Sequence, residues 1–396
     1  MNPSLLLKNE TAQRLYETYA RDLPIIDYHN HLDPADLDRR YQNITELWLE
    51  CDPYKHRLMR ICGVEEHFIT GNASPLEKFQ TFCTVFPRLA GTPVYDWCRM
   101  ELRSVFGIKE LPGAENAEKL FEKLNKLLQK EEFLPQNLLQ RFRVEYHSPV
   151  AALGDELTPF TESGTAPSLR GDELLTRPLP ADLTERLDAF EQAGCRIADH
   201  ALDEGFFRDG NTATLVTLAK EYAARGWTLL LHLGALRQTS TTLAKEVGPS
   251  GGYAAIGSTD IPALVRLLDE MEQHDALPHT VLFPLNPAEM PSLAILAGSF
   301  KGGKVQLGPA WWWNDHAMGI RQTLDCLANY GVLSQFIGMT TDSRSPLSFV
   351  RHDYFRQVLC QWLSEQDWGL PEEELGSLIQ DICYFNAKRR IDRVSK

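Results

Sequence analysis

Apolar and polar positions along this chain follow two periods that take turns. Short, nearly continuous apolar runs read as buried strands, and between them lie stretches whose apolar residues recur three and four apart, the mark of amphipathic helices. The runs predicted as strands are Pro24–Leu32, Arg143–Ser148, Thr165–Arg170, Cys195–His200, Thr228–Gly234, His279–Leu285, Lys304–Gly308 and Phe336–Thr341. Helical spacing is predicted over Leu183–Gln192, Thr212–Ala224, Ile261–Gln273, Glu289–Gly298, Met318–Tyr330, Phe349–Ser364 and Glu373–Asn386. Residues 35–140 are different in kind: Thr45–Leu49, Pro75–Phe86 and Asn116–Lys130 fit helices, and strand character is scarce.

Eight strands, most of them followed by a helix, predict an α/β fold of the (β/α)8 TIM-barrel type. The barrel would take residues 1–34 and 141–396, with 35–140 as a helical insertion after strand 1. A doubly wound sheet would carry a glycine-rich phosphate turn after its first strand, and this chain has none there. The segment Gly248–Gly252 reads as a loop too short to link domains.

In a barrel of this kind chemistry gathers at the C-terminal ends of the strands. Those ends carry His29 and His31, Tyr146 and His147, Arg170, Asp199 and His200, His232, Asn286, Trp311 and Trp312, and Asp342 with Arg344. Polar and aromatic groups so placed point to an enzyme. His29 and His31, at i and i+2 of a strand, share a side and can converge on one metal ion. Their plain alternative is a pair of strand-end polar groups bonded to backbone. Asp342 and Arg344 repeat the spacing, a carboxylate toward the metal and a guanidinium toward an anion, against a structural ion pair as the alternative. His232 could be a further ligand or a donor to substrate. Three adjacent indoles at Trp311–Trp313 cannot all face one core, so at least one is expected to wall a pocket suited to a sugar ring. Asp52–Arg57 read alone is a solvated helix start.

Composition narrows the partners. The 396 residues are 43% hydrophobic and 24% charged with a net charge of −14. That balance supports a sizeable core and argues against nucleic acid or an anionic membrane, while leaving room for an anionic small substrate held by a few arginines. The 8 cysteines form no C-x-x-C pair. Reduced thiols, a cytoplasmic location, no signal peptide and no membrane span are therefore expected.

Taken together, these residues resemble the uronate (glucuronate) isomerases of the amidohydrolase superfamily. The motifs that carry the resemblance, in order, are Asp27-Tyr28-His29-Asn30-His31-Leu32, Tyr54-Lys55-x-Arg57-x-Met59-Arg60, Pro167-Ser168-x-Arg170, Asp199-His200-Ala201-Leu202-Asp203 and His232-Leu233-Gly234-Ala235-Leu236-Arg237. Leu285-Asn286-Pro287, Trp311-Trp312-Trp313-Asn314-Asp315, Thr341-Asp342-Ser343-Arg344-Ser345 and Arg351-His352-x-Tyr354-Phe355-Arg356 continue it. The resemblance implies interconversion of D-glucuronate with D-fructuronate, and of D-galacturonate with D-tagaturonate, on a metal-binding barrel. It implies His29, His31 and Asp342 as ligands of a divalent metal, zinc, and Arg170 on the substrate carboxylate. Asp342, Arg344 and Tyr54 would serve the reacting end. His232, Trp311, Trp312, Arg57, Asn286 and His200 complete the expected substrate-binding set, and a homo-oligomer is expected. The chain departs from the family pattern at Pro53 and His56, around Tyr146–Ala151, and in a shortened stretch near 172–225. Alternatives are a divergent metal-dependent hydrolase or isomerase of another sugar acid or lactone, and a sugar-acid binding protein without catalysis.

Overall fold

The computed structural model of the chain describes residues 6–248 and 253–392, so the loop expected at 248–252 lies, apart from Gly248, outside the described residues. The strands are β1 (Ile25–Asn30), β2 (Val144–Ala152), β3 (Ser168–Arg170), β4 (Ile197–Leu202), β5 (Thr228–Leu233), β6 (Ala235–Arg237), β7 (Ala254–Ile256), β8 (His279–Pro284) and β9 (Val305–Leu307). Seven of them form one parallel sheet in the order β1-β2-β3-β4-β5-β8-β9. β6 and β7 form a separate antiparallel hairpin that the hydrophobic pattern did not predict.

The eighth position of the barrel is filled differently from the expectation. The apolar run 336–341 carries no strand ladder of its own. Its backbone groups are satisfied largely by side chains. Ile337 N–H donates to the Gln306 amide oxygen of β9 (3.0 Å), and Thr341 N–H to Asp27 Oδ1 of β1 (2.7 Å). The Thr340 hydroxyl bridges to Asp27 Oδ1 (2.9 Å), and Thr341 Oγ1 donates to Asp27 Oδ2 (2.8 Å). Main-chain bonds resume only at the mouth, from Asp342 N–H to His29 C=O (3.1 Å) and from His31 N–H to Ser343 C=O (2.7 Å). The ring is thus closed, and the closing joint is polar. Gly338 is required in that joint, because its φ is +81° and a Cβ would lie 2.1 Å from the Ile382 carbonyl oxygen.

Between β1 and β2 the chain is helical, as expected, with helices at Pro53–Ile61, Pro75–Val85, Pro93–Met100 and Ala117–Leu128. Pro53–Ile61 starts cleanly because the Asp52 side chain accepts from Tyr54 N–H and Pro53 occupies the first turn. One apolar cluster runs from Trp48, Phe79 and Phe82 of this segment into Leu229 and Leu231 of the sheet, so the insertion is not cored separately. The helix Val350–Leu363 lies buried nearly along its whole length and carries Tyr354, which meets Trp97 of the insertion edge-on at 6.3 Å. This packing holds the insertion over one side of the barrel mouth. Among the described residues no helix is long and apolar enough to cross a membrane.

Candidate active site

A cavity of about 170 Å³ opens at the C-terminal ends of the strands, walled by His29, His31, Tyr54, Arg170, His232, Arg237, Trp311, Trp312, Asp342 and Arg344, with Pro53 and Tyr253–Ala254 at its rim. His29 comes from the end of β1 and is fully buried. His31 follows it, with the two rings edge to face at 5.3 Å. Asp342 Oδ1 lies 3.0 Å from His31 Nε2 and 3.4 Å from His29 Nε2.

Two of the five non-glycine residues with positive φ among the described residues line this cavity, Asp342 at +49° and Trp312 at +50°. A left-handed backbone costs energy for residues of this kind and persists where the surroundings enforce it. At Asp342 the backbone bond to His29 C=O does so, and it turns the carboxylate onto the histidines.

The electrostatics suit a cation. Burial opposes ionisation of Asp342, but its bonds to His29 and His31 outweigh burial and hold the carboxyl well below its ordinary range. Burial keeps His31 neutral by pushing its pKa down. Apart from the 3.4 Å approach of Nε2 to Asp342, the nitrogens of the buried His29 ring make no regular hydrogen bond, an arrangement that is costly unless a further group meets the ring's free lone pair. Buried, unspent imidazole nitrogens next to an ionised carboxylate fit a divalent metal ion. Two sets of donor atoms converge closely enough to hold one: His29, His31 and Asp342, and His29, Asp199 and His232. Asp199 in the second set is already engaged, accepting from Arg170 Nη1 and meeting His232 Nδ1 at 2.6 Å. The first set is the freer one.

Asp199, which the sequence marks only within a strand end and a motif, is the hub of the inner wall. It is fully buried, and burial disfavours its charge; Arg170 and then His232 reverse that and keep it ionised. Arg170 also bonds Asp172 through Nε at 2.7 Å, so this guanidinium faces the cavity with two of its donors committed inside the protein. Arg344, by contrast, is exposed in the cavity and makes no ion pair or hydrogen bond among the described residues.

The indoles divide as the pattern suggested. Trp311 and Trp312 line the cavity, Trp311 donating its N–H to Phe283 C=O at 3.0 Å, while Trp313 stacks behind Trp312 at 4.6 Å. Arg237 lies over the Trp312 ring (5.1 Å) and is held there by Asp203 at 2.8 Å. Sequence reasoning named Arg237 only within a motif. Tyr54 reaches in from the insertion, its hydroxyl making no regular hydrogen bond; burial holds its phenol well above the ordinary range against the opposing charge of Arg351.

Three expected substrate contacts are not part of this wall. His200 points to the other side of β4 from Asp199, as strand alternation requires, and its Nε2 meets the Tyr222 hydroxyl at 3.0 Å. Asn286 caps the turn after β8, accepting from Ala288 N–H at 3.1 Å. Arg57 lies behind the cavity over the Trp313 ring at 5.0 Å. His56 likewise faces the interior, against Leu49 C=O at 2.7 Å.

Comparison with known proteins places this geometry in a family. The chain matches the glucuronate isomerase family over residues 1–157 and 207–390. It is 36% identical to the uronate isomerase of Caldanaerobacter subterraneus subsp. tengcongensis and 37% identical to that of Actinobacillus succinogenes, in each case over 98% of both chains. Those alignments extend over 457 and 459 positions against 396 residues here, so the relatives are longer, and the family match breaks between 157 and 207. The crystal structure of a uronate isomerase from Thermotoga maritima superposes with a TM-score of 0.90 at 29% identity, covering 98% of both chains. That of glucuronate isomerase from Caulobacter crescentus gives 0.89 at 22% identity, covering 100% of this chain and 98% of its own, a likeness of fold. With family match, full-length relatives and barrel in agreement, the chain belongs to the uronate (glucuronate) isomerase family, a family of aldose–ketose isomerases.

Proposed function

We propose that this enzyme interconverts D-glucuronate with D-fructuronate and D-galacturonate with D-tagaturonate, moving a proton from C2 to C1 through an enediol. The observation that carries the residue-level reading is the convergence of Asp342, His29 and His31 beside the unpaired Arg344 in one cavity. Such a reaction needs a base at C2, a donor for the neighbouring oxygen, and positive charge where the enediolate develops.

Asp342 is the candidate base, held ionised at the cavity floor. The Tyr54 hydroxyl, which makes no regular hydrogen bond, is the candidate proton donor or relay. Arg344 is the candidate stabiliser of the enediolate, its guanidinium being uncommitted. Arg170 is the candidate for the substrate carboxylate, using the face that Asp199 and Asp172 leave free, and Trp311 and Trp312 give the sugar ring a flat wall. His232, oriented by Asp199, can donate to a substrate oxygen. His29, His31 and Asp342 would hold a divalent metal, zinc as the family resemblance implies, which when bound would supply electrophilic polarisation of the substrate oxygens.

A cytoplasmic location and a homo-oligomeric assembly accompany this reading, as does the division into a barrel (1–34, 141–396) and an insertion (35–140). The polar, arginine-lined cavity supports sugar-acid isomerisation over hydrolysis of an amide. The test is incubation of the metal-loaded protein with D-glucuronate and D-galacturonate, following ketose formation. Turnover of neither, with the metal site filled, refutes the substrate assignment and leaves the fold untouched.

A further inference from the structure

We propose that Arg351, which does not line the main cavity, is a positioning residue for Tyr54. The inference rests on the role given to Tyr54 above.

Arg351 sits on the buried helix Val350–Leu363 and is itself 3% exposed. Its Nη1 bonds Asp315 Oδ2 at 3.0 Å. The guanidinium lies against two rings of other elements, 4.7 Å from the centroid of Trp97 and 5.3 Å from that of Tyr54. Tyr54 is edged by Trp97 at 5.4 Å and by Trp313 at 5.6 Å. The phenol ring is therefore boxed by an insertion helix, by the tryptophan turn and by this arginine, and only the last is charged. A second, smaller chamber of about 20 Å³ lies between Tyr54, Trp97, Arg351, Asp342 and Arg344. Neither the Tyr54 hydroxyl nor Arg351 Nε makes a regular hydrogen bond there, and the Arg351 cation interacts directly with the Tyr54 side chain.

A buried guanidinium is expensive to maintain, and an apolar side chain of the same volume would fill the space at less cost. A planar cation stacked on aromatic faces fixes a ring orientation that an aliphatic chain does not. Asp315 fixes the arginine in turn, and it lies two residues after Trp313. The Tyr54 hydroxyl and the sugar-facing indole wall are thereby set relative to each other through a single ion pair.

The test compares kcat and KM on D-glucuronate and D-galacturonate for Arg351→Met, Tyr54→Phe and the combined variant. The expected result for Arg351→Met is a kcat lower by roughly 10-fold or more with KM within about 3-fold, because Tyr54 serves the chemical step and not uniform binding. On the Tyr54→Phe background the same change costs less than about 2-fold, since its effect passes through the hydroxyl. Costs that multiply fully across the two variants, or a change confined to KM, overturn the proposal. Should Arg351→Met fail to fold with Asp315 left unpaired, Asp315→Asn with Arg351→Met removes both charges and is read in the same way. Near-ultraviolet circular dichroism reads ring packing without turnover. Arg351→Met is expected to alter the aromatic bands while Tyr54→Phe leaves most of them; unaltered bands in Arg351→Met refute the positioning role. If the wild-type protein turns over neither uronate, the proposed function fails while this spectrum still decides the role of Arg351.

Discussion

Asp342 Oδ1 stands 3.0 Å from His31 Nε2, delivered there by a left-handed backbone at the joint that closes the barrel. The carboxylate that would hold a metal is thus set by the same main-chain bond that fixes the eighth strand position. Asp342→Asn keeps that shape and removes the charge, so kcat should fall by about 100-fold or more with little change in stability. Arg344→Met should cost on the order of 100-fold in kcat, having no structural partner to lose. Steady-state kinetics beside melting curves separate these effects; a large fall in Tm for Arg344→Met would mean the residue supports the fold.

Chelation is the second prediction. Buried His29, making no regular hydrogen bond and standing beside an ionised Asp342, should hold a divalent ion tightly enough to raise Tm. At free metal about 100-fold above Kd the gain is about 2.7 kcal/mol. Metal analysis should find a divalent ion in the purified wild type and none in His29→Ala. A Tm indifferent to chelator and to added zinc would count against the site.

The helix that carries Tyr54 depends on a buried ionic network. Lys55 Nζ donates to Trp48 C=O at 2.7 Å, pairs with Asp52 at 2.8 Å and approaches Glu101 at 3.9 Å. Lys55→Met leaves Asp52 and Glu101 buried without their cation, at an expected cost of about 3–5 kcal/mol in denaturant unfolding. A loss below about 1 kcal/mol would show that the carboxylates find other partners.

Acid sensitivity should come from histidines outside the site. Burial pushes His147 and His200 down to about 4, well under the free value. As pH falls below about 6.5 the unfolded chain binds protons that the folded chain refuses, so stability present above that pH is lost progressively toward pH 4. Each group can account for about 3 kcal/mol by the lower end of that window. His147→Gln should flatten the pH dependence of unfolding between pH 6.5 and 4; an unchanged slope there would place the titration elsewhere.

Periodicity made much of the fold legible. The helices Thr212–Ala224 and Ile261–Gln273 appear where the apolar spacing put them, and β5 is the continuous run seen at Thr228–Leu233. What the pattern could not reveal is polar pairing between distant segments. The run 336–341 reads as an ordinary strand, because nothing local says that Asp27 will take its backbone and hydroxyl donors. The hairpin of β6 and β7 was missed since its strands are short and its register depends on the pairing alone. At the site, His29, His31, Asp342 and Arg344 were legible from i, i+2 spacing. His200 and Asp199 were not separable, because a strand buried on both faces gives no sign of which parity faces inward. Even so, a carboxylate amid the apolar run Ile197–Ala198 was a signal, since a buried acid needs partners.

This cavity is expected to move a proton between C2 and C1 of a hexuronate. Proton NMR of the metal-loaded enzyme with D-glucuronate or D-galacturonate in deuterated buffer reads that step directly. The account predicts appearance of the corresponding ketose, with Asp342→Asn suppressing it by about 100-fold or more. Unchanged aldose from both sugars with the metal bound, or a hydrolysis product in place of a ketose from another sugar acid, would contradict it.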